Sequence, residues 1–254
     1  MKIIKPMLLS YQDEATSLED WMYEPKFDGI RLLVGNAYSY TRHGTVTTSR
    51  FPELLFGGHE TLLDGELIAP GTNAPDDFAG VISRFSGNKE QPILYMVFDI
   101  LKYKNKTTSH WPIEKRKEIL TETVITIDSL YIKLVPSVYI EGEQLFKVMK
   151  ANNMEGMVAK RLGSSYIPGT RSDNWKKIIN WSYHDVVVSK VTFKPLTAQF
   201  SSIDGEYIGS AAIGFTKEIR KVLTSRQTPF GVRVKARGWT NQGKLRLPQI
   251  IAIK

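Results

Sequence analysis

The stretch Glu24-Pro25-Lys26-Phe27-Asp28-Gly29-Ile30-Arg31 places one lysine two residues before an aspartate and five before an arginine. A lysine is nucleophilic only when its amine is deprotonated, and burial or neighbouring cations achieve this by lowering its pKa. Gly29 permits a tight turn, and the apolar run after it predicts a strand. We therefore expect Lys26 to end one strand of a hairpin and Arg31 to open the next, with both side chains facing one pocket. An ordinary surface β-turn is the alternative that this stretch alone leaves open.

Five more short motifs follow in a fixed order. They are Thr41-Arg42-His43-Gly44, Leu63-Asp64-Gly65-Glu66-Leu67, Tyr95-Met96-Val97-Phe98-Asp99-Ile100-Leu101, Glu155-Gly156-Met157-Val158-Ala159-Lys160 and Arg171-Ser172-Asp173-Asn174-Trp175-Lys176-Lys177. Each motif by itself is weakly specific, but six motifs in this order leave little room for coincidence. Together they resemble the motifs of the covalent nucleotidyltransferase family, which comprises ATP-dependent DNA ligases, RNA ligases and mRNA capping enzymes. The resemblance covers essentially the whole chain.

The resemblance implies that Lys26 is the nucleophile. It would attack the α-phosphate of ATP and carry AMP as a phosphoramidate, with pyrophosphate leaving. Lys160 and Lys177 would contact the α-phosphate and would also lower the pKa of Lys26, because like charges disfavour its protonated form. Cations placed before the reaction best stabilise the negative charge that develops around phosphorus.

The nucleoside contacts are also implied by the resemblance. Phe98 would stack on adenine, although a buried strand residue is the alternative for this position. Arg31 and Glu66 are similar to the ribose contacts of the family. Glu24 stands where the family contacts the adenine amino group, through its side chain or its backbone.

A divalent metal ion is expected, because transfer from ATP requires neutralisation of the polyphosphate. Mg²⁺ is usually held by one or two carboxylates while it keeps several waters. Glu155 is the first candidate ligand. Asp28 is the second, with the alternative that its carboxylate orders the turn before Gly29.

Three arginines complete the predicted site. Arg42 and Arg171 match residues that contact nucleotide or DNA phosphate, for which a bidentate guanidinium is well suited. The usual sixth motif, an Arg-x-Asp-Lys-like run, is missing. In its place Gly243-Lys244-Leu245-Arg246-Leu247-Pro248 resembles the ending of ligase domains from bacterial end-joining ligases, which makes Arg246 the residue that orients pyrophosphate. The fifth motif also departs from the family, since Ile179 stands where a second lysine is usual.

Charge is distributed unevenly along the chain. Residues 185–254 hold 12 Lys plus Arg and 4 Asp plus Glu, which accounts for the whole net charge of +8 of the 254-residue chain. A concentrated basic segment is typical of a polyanion-binding surface, although a solvated basic surface is the alternative. The predicted fold class is α+β: a nucleotidyltransferase (ATP-grasp-like) adenylation domain of antiparallel sheets and helices over residues 1–184, followed by a small β-barrel OB-fold DNA-binding domain over residues 185–254.

Helices are predicted by apolar spacing and by turn signals. The predicted ranges are Phe51–Phe56, Pro75–Phe85, Pro112–Thr123 and Glu141–Asn152 in the first domain, and Thr216–Leu223 in the second. About five strands are expected beside the last of these.

The sequence contains no cysteine, which excludes disulfides, thiolate metal sites and cysteine nucleophiles. No apolar stretch reaches 18 residues, so we expect a soluble, cytoplasmic protein. The resemblance implies a minimal ATP-dependent DNA ligase of bacterial or phage type, acting as a monomer with ATP and Mg²⁺ on nicked duplex DNA. The alternatives are an RNA ligase, a GTP-dependent capping enzyme and a catalytically inactive nucleic-acid-binding module. Replication, repair, end joining and a phage life cycle are all compatible with these motifs.

Overall fold

The computed structural model describes residues 3–58, 60–71, 75–240 and 242–254. The chain divides into two compact units, Met1–Ile179 and Asn180–Lys254. The predicted boundary after residue 184 falls inside a strand that begins at Ser182. The division between the two compact units, after Ile179, lies five residues before the predicted boundary.

The first unit contains strands from two sheets and three α-helices within its described residues. In chain order these elements are β1 (Leu8–Tyr11), β2 (Trp21–Lys26), β3 (Ile30–Gly35), β4 (Ser39–Thr41), β5 (Leu62–Ile68), α1 (Phe78–Phe85), β6 (Leu94–Tyr103), β7 (Lys106–Thr107), α2 (Ile113–Ile127), β8 (Ile132–Leu134), β9 (Val138–Tyr139), α3 (Gly142–Ala151), β10 (Gly156–Arg161) and β11 (Arg171–Ile179).

Sheet 1 has the strand order β1-β11-β10-β2-β9, and sheet 2 has the order β4-β3-β5-β6-β7 with β8 paired to β6. The sheets are antiparallel except for the pairs β1–β11 and β6–β8, which are parallel. Helix α2 packs on sheet 2, where Leu120 lies in one buried cluster with Val97 and Ile100. The α+β assignment is confirmed.

The connection from Lys26 to Arg31 is not a hairpin, and this prediction is wrong. Strand β2 pairs with β10 and β9 in sheet 1, whereas β3 pairs with β4 and β5 in sheet 2. Both strands are therefore already bonded on each side, and the turn crosses from one sheet to the other. A Cβ at Gly29 would lie 2.1 Å from the backbone oxygen of Leu67, so only glycine allows this close approach.

Three of the four helices predicted in the first unit are present as α1, α2 and α3. Helix α1 begins after Asp77, whose side chain accepts a 3.0 Å hydrogen bond from the Ala79 amide, as an N-cap residue does. The fourth prediction, at Phe51–Phe56, is wrong. Only a three-residue 3-10 turn forms there, at Pro52–Leu54.

The second unit contains β12 (Ser182–Phe193), β13 (Leu196–Ser201), β14 (Tyr207–Ala211), α4 (Lys217–Ser225), β15 (Phe230–Ala236) and β16 (Gln249–Ile253) among its described residues. They form one antiparallel sheet in the order β14-β13-β12-β15-β16. Along β15, Val232, Val234 and Ala236 are buried and the residues between them face outward, as expected for a half-buried strand. Five strands with one helix match the sequence prediction and are consistent with an OB fold.

No helix within the described ranges is both long and apolar enough to cross a membrane.

Candidate active site

A pocket in the first unit collects side chains from both sheets. Its lining consists of Leu9, Glu24, Pro25, Lys26, Phe27, Arg31, Glu66, Phe98, Val158, Lys160 and Trp175. Lys26 and Arg31 therefore face one pocket, as predicted, although their strands belong to different sheets. The pocket volume of about 60 Å³ is well below the roughly 300–1,000 Å³ of typical small-molecule sites. A space of this size does not enclose a whole nucleotide.

The strand register of sheet 1 decides which lysine of the fifth motif faces the pocket. Val158 on β10 is opposite Glu24 on β2 and opposite Lys177 on β11, and directly opposed residues share one face of a sheet. Lys177 is therefore on the pocket face. The ammonium group of Lys176 lies 5.0 Å from the ring centroid of Trp21, on the opposite face.

Lys26 is paired with a carboxylate. Its Nζ lies 2.6 Å from Oε2 of Glu155, a buried residue immediately before β10. The sequence instead led us to expect two cations close to this amine. One of them, Lys160, has its ammonium group 2.6 Å from Glu24 Oε2.

Glu24 lies at the centre of a buried charged cluster. Its Oε1 accepts hydrogen bonds from Lys117 Nζ at 2.7 Å and from Ser137 Oγ at 3.0 Å. Its Oε2 is paired with Lys160. Burial opposes the charge on Glu24, but Lys117 and Lys160 outweigh it and hold the pKa of the carboxyl below its ordinary value. Burial, reinforced by Lys117, lowers the pKa of Lys160 despite the Glu24 carboxylate.

Arg31 is fixed by a bidentate ion pair with Asp64. Its Nε and Nη2 lie 2.9 Å and 2.6 Å from the two carboxylate oxygens, and its Nη1 donates to the carbonyl of Met7 at 2.7 Å. The hydroxyl of Tyr166 donates to Asp64 Oδ2 at 2.6 Å. Burial opposes the charge on Arg31, but the carboxylate of Asp64 raises the pKa of the guanidinium above its usual range. Arg31 is thus a permanent cation at the pocket wall.

Glu66 lies on β5 directly opposite Arg31 on β3. Burial raises the pKa of Glu66 to about 7, against the opposing effects of Lys26 and Arg31. A carboxyl group that titrates near neutrality within a pocket is a common property of functional sites.

Phe98 lies close to two cations of the pocket. The ammonium group of Lys160 is 4.8 Å and the guanidinium carbon of Arg31 is 5.2 Å from the ring centroid. Trp175 packs against it in a T-shaped arrangement, with ring centroids 6.1 Å apart. Phe98 is partly exposed and lines the pocket, so its ring is available to a ligand and is not only a core residue.

The carboxylates near Lys26 are the protein groups available to Mg²⁺ when ATP phosphates supply other ligands. No group of three or more His, Cys, Asp or Glu side chains able to hold a metal occurs among the described residues. Glu155 lies at the pocket beside Lys26, and the Asp28 side chain is buried in the turn that follows. One or two carboxylates with substrate phosphates form a normal Mg²⁺ site, so the donor set fits this ion.

Three arginines that the sequence assigned to the site do not line this pocket. Arg42 is exposed in the turn after β4, with its Nε 3.1 Å from His43 Nε2. Arg171, the exposed first residue of β11, donates to the carbonyl of Leu9, which lines the pocket. Arg246 belongs to the second unit, where its backbone is bonded to Arg237 and Gly238.

Sequence reasoning missed several residues of the site. It did not assign roles to Asp64, Val158 or Trp175, although all three stand inside quoted motifs. It did not identify Lys117 or Tyr166, whose partners are distant in sequence. The only signal for these two was a basic residue and an aromatic residue between motifs, which is too common to interpret.

Comparison with known proteins identifies the class. The family model of the ATP dependent DNA ligase domain matches residues 6–178. A curated relative, the SPbeta prophage-derived DNA ligase-like protein LigB of Bacillus subtilis, is 32% identical over 263 residues, which cover 96% of this chain and 97% of LigB. The chain belongs to the family of ATP-dependent DNA ligases, as the motifs predicted.

More distant matches share part of the sequence or the fold. The multifunctional non-homologous end joining DNA repair protein LigD of Mycobacterium tuberculosis is 25% identical, over 96% of this chain but only 37% of LigD. Among solved structures, a Lig E DNA ligase superposes with a TM-score of 0.77 at 16% identity and covers 99% of this chain and 100% of that one. The mycobacterial DNA ligase D complexed with ATP and MES gives a TM-score of 0.65 at 20% identity, covering 99% and 95%. These superpositions confirm the fold of a nucleotidyltransferase domain followed by an antiparallel β domain.

Proposed function

We propose that this chain seals nicks between a 5′-phosphate and a 3′-hydroxyl in duplex DNA, with Lys26 as the covalent carrier of AMP. The first step forms a bond between Lys26 Nζ and the α-phosphorus of ATP and breaks the bond to the pyrophosphate oxygen. AMP then passes to the 5′-phosphate of the nick. Attack by the 3′-hydroxyl closes the strand and releases AMP.

The observation that carries this proposal is the convergence of Lys26, Arg31, Glu66, Phe98 and Lys160 on one pocket. Phe98 would stack on adenine, beside Glu24. Arg31 and Glu66 would contact the ribose.

The phosphates would be met by cations. Lys160 and Lys177, both on the pocket face of sheet 1, would bind the α-phosphate. Arg42 and Arg171 would contact nucleotide or DNA phosphate, and Arg246 would orient pyrophosphate. Glu155 would hold Mg²⁺, which when bound supplies neutralisation of the polyphosphate charge.

The two units would divide the work. The first unit would carry out adenylation, and the second unit would bind the DNA backbone. On β15, Arg233 and Lys235 alternate with the buried valines and so lie on the outer face of the sheet. The centroid of the Trp181 ring lies 4.6 Å from the Lys235 ammonium group and 5.9 Å from the Arg237 guanidinium carbon. Cations beside an aromatic ring suit a nucleic-acid partner.

We also propose that the protein is cytoplasmic and acts as a monomer.

The decisive experiment is Lys26→Ala. It should abolish the label that ATP leaves on the protein, because no other group supplies the amine. It should retain sealing of a nick that already carries AMP, since that step uses AMP as the leaving group. Lys176→Ala is the matched control, because Lys176 lies on the opposite face of the same sheet. Full activity of Lys26→Ala with ATP and an ordinary nick would reject the assignment.

The alternatives are separated by the substrates. An RNA ligase would prefer nicks in RNA duplexes, and a capping enzyme would be labelled by GTP rather than ATP. A nucleic-acid-binding module without activity would take no covalent label from either nucleotide.

A further inference from the structure

Lys117 is a buried lysine of helix α2 that belongs to none of the six motifs. Its side chain reaches from the second turn of the helix to Glu24, which is 93 residues earlier in the chain. The Nζ–Oε1 distance is 2.7 Å, and Nζ also donates to the carbonyl of Val135 at 3.5 Å. A lysine is rarely buried unless it is paired, so the contact with Glu24 accounts for its position.

Two ammonium groups share the single carboxylate of Glu24. They use different oxygens: Oε1 binds Lys117 and Ser137, and Oε2 binds Lys160. The cluster of Glu24, Lys117 and Lys160 therefore contains two cations and one anion. If Lys160 leaves Oε2, Glu24 remains paired through Oε1.

We propose that Lys117 is a positioning residue for self-adenylylation: it holds the charge of Glu24 so that Lys160 can leave this carboxylate and bind the α-phosphate of ATP. The inference rests on the proposed role of Lys160. Such a movement is needed because Glu24 holds the Lys160 ammonium group at 2.6 Å, only 4.8 Å from the centroid of the Phe98 ring, on which adenine would stack. Without Lys117, transfer of Lys160 to phosphate would leave a buried carboxylate without a cation, which is strongly unfavourable.

The first test replaces Lys117 by methionine, which keeps much of the side-chain length but not the charge. At saturating ATP, the single-turnover rate of lysyl-AMP formation should fall about tenfold or more, because Lys160 would then have to leave a buried carboxylate that has no other cation. Lys117→Arg should recover most of the rate. Lys115→Met is the matched control: this lysine is exposed on the same helix, and its loss should leave the rate unchanged.

The second test separates charge balance from packing. In a Glu24→Gln background the cluster holds two cations and no anion, so adding Lys117→Met should leave the rate unchanged or raise it. A positioning role therefore predicts that Lys117→Met lowers the rate in the unmodified protein but not in the Glu24→Gln background, whereas a structural role predicts a loss in both. The double variant also keeps the test available if Lys117→Met alone fails to fold. Thermal unfolding of each variant checks that it is folded.

Two results would overturn the inference. One is a folded Lys117→Met variant with the rate of the unmodified protein. The other is an equal loss of rate from Lys117→Met in both backgrounds. Failure of the proposed function is distinguishable, because the unmodified protein would then form no lysyl-AMP at all.

Discussion

Replacement of Glu66 by glutamine should stabilise the protein at alkaline pH. Burial raises the pKa of this carboxyl from its ordinary value of 4.5 to about 7 in the folded chain, so the folded state disfavours the ionised form. A group whose folded pKa is raised contributes stability below its unfolded pKa and loses that contribution as the pH rises through the folded value. The loss for Glu66 runs from about pH 4.5 to somewhat above pH 7.

The magnitude follows from the two pKa values. They differ by about 2.5, and each pKa unit corresponds to about 1.4 kcal/mol, so ionised Glu66 lowers the free energy of unfolding by about 3 kcal/mol at pH 8. Glutamine keeps the shape without the charge and removes this penalty. For a chain of this size, a gain of 3 kcal/mol corresponds to a rise in Tm of about 6–12 °C.

The assay is thermal unfolding of Glu66→Gln and of the unmodified protein from pH 5 to pH 8, without nucleotide. The difference in Tm should be small at pH 5, about a quarter of its value at pH 8, and should grow with pH. Glu118→Gln, at an exposed position on α2, is the control and should show no such trend. A Tm difference that is absent at pH 8, or as large at pH 5 as at pH 8, would refute the reasoning. If Glu66 contacts the ribose as proposed, the more stable variant should also bind ATP more weakly.

Two other predictions concern ligands. Phe98→Ala should raise the ATP requirement of lysyl-AMP formation by an amount equivalent to about 1–3 kcal/mol, the usual value of a base stacked on an aromatic ring, with little change in nick affinity; equal losses in both would indicate a collapsed core. Replacing Lys235 and Arg237 together by glutamine should reduce the slope of log affinity for nicked DNA against log salt by about 1–2, because each neutralised phosphate contributes about 0.9. Lys89→Gln, exposed in the first unit, is the control; an unchanged slope in the double variant would show that the cations beside Trp181 do not bind DNA.

The sequence predicted the pocket better than it predicted the path of the chain. Lys26 does end a strand and shares a pocket with Arg31. The hairpin was wrong because an Asp-Gly turn between two apolar runs has the same local signal whether the strands pair with each other or with other strands. The difference lies in the close approach of Gly29 to Leu67, which is a long-range contact.

The charges of the site were predicted only in part. Lys26, Glu155, Lys160 and Glu24 were all named, but their pairing was not, because a motif gives residue types and not partners. Lys117 was missed for the same reason: in the sequence it is one of several charged residues on a helix, and only the fold brings it to Glu24. The 3-10 turn at Pro52–Leu54 shows a further limit, since apolar spacing over so few residues does not fix the helix type.

The pairs that build the pocket also determine when during folding it exists. Lys26 and Glu155 are 129 residues apart in the chain, and Tyr166 and Asp64 are 102 residues apart. Contacts of such separation form only after the entropy of closing long loops has been overcome. A growing chain that has emerged from the ribosome as far as α2 carries the lysine of the first motif but not its carboxylate partner. Chains that end before Glu155 therefore lack this residue, Lys160 and Trp175 and carry no assembled pocket.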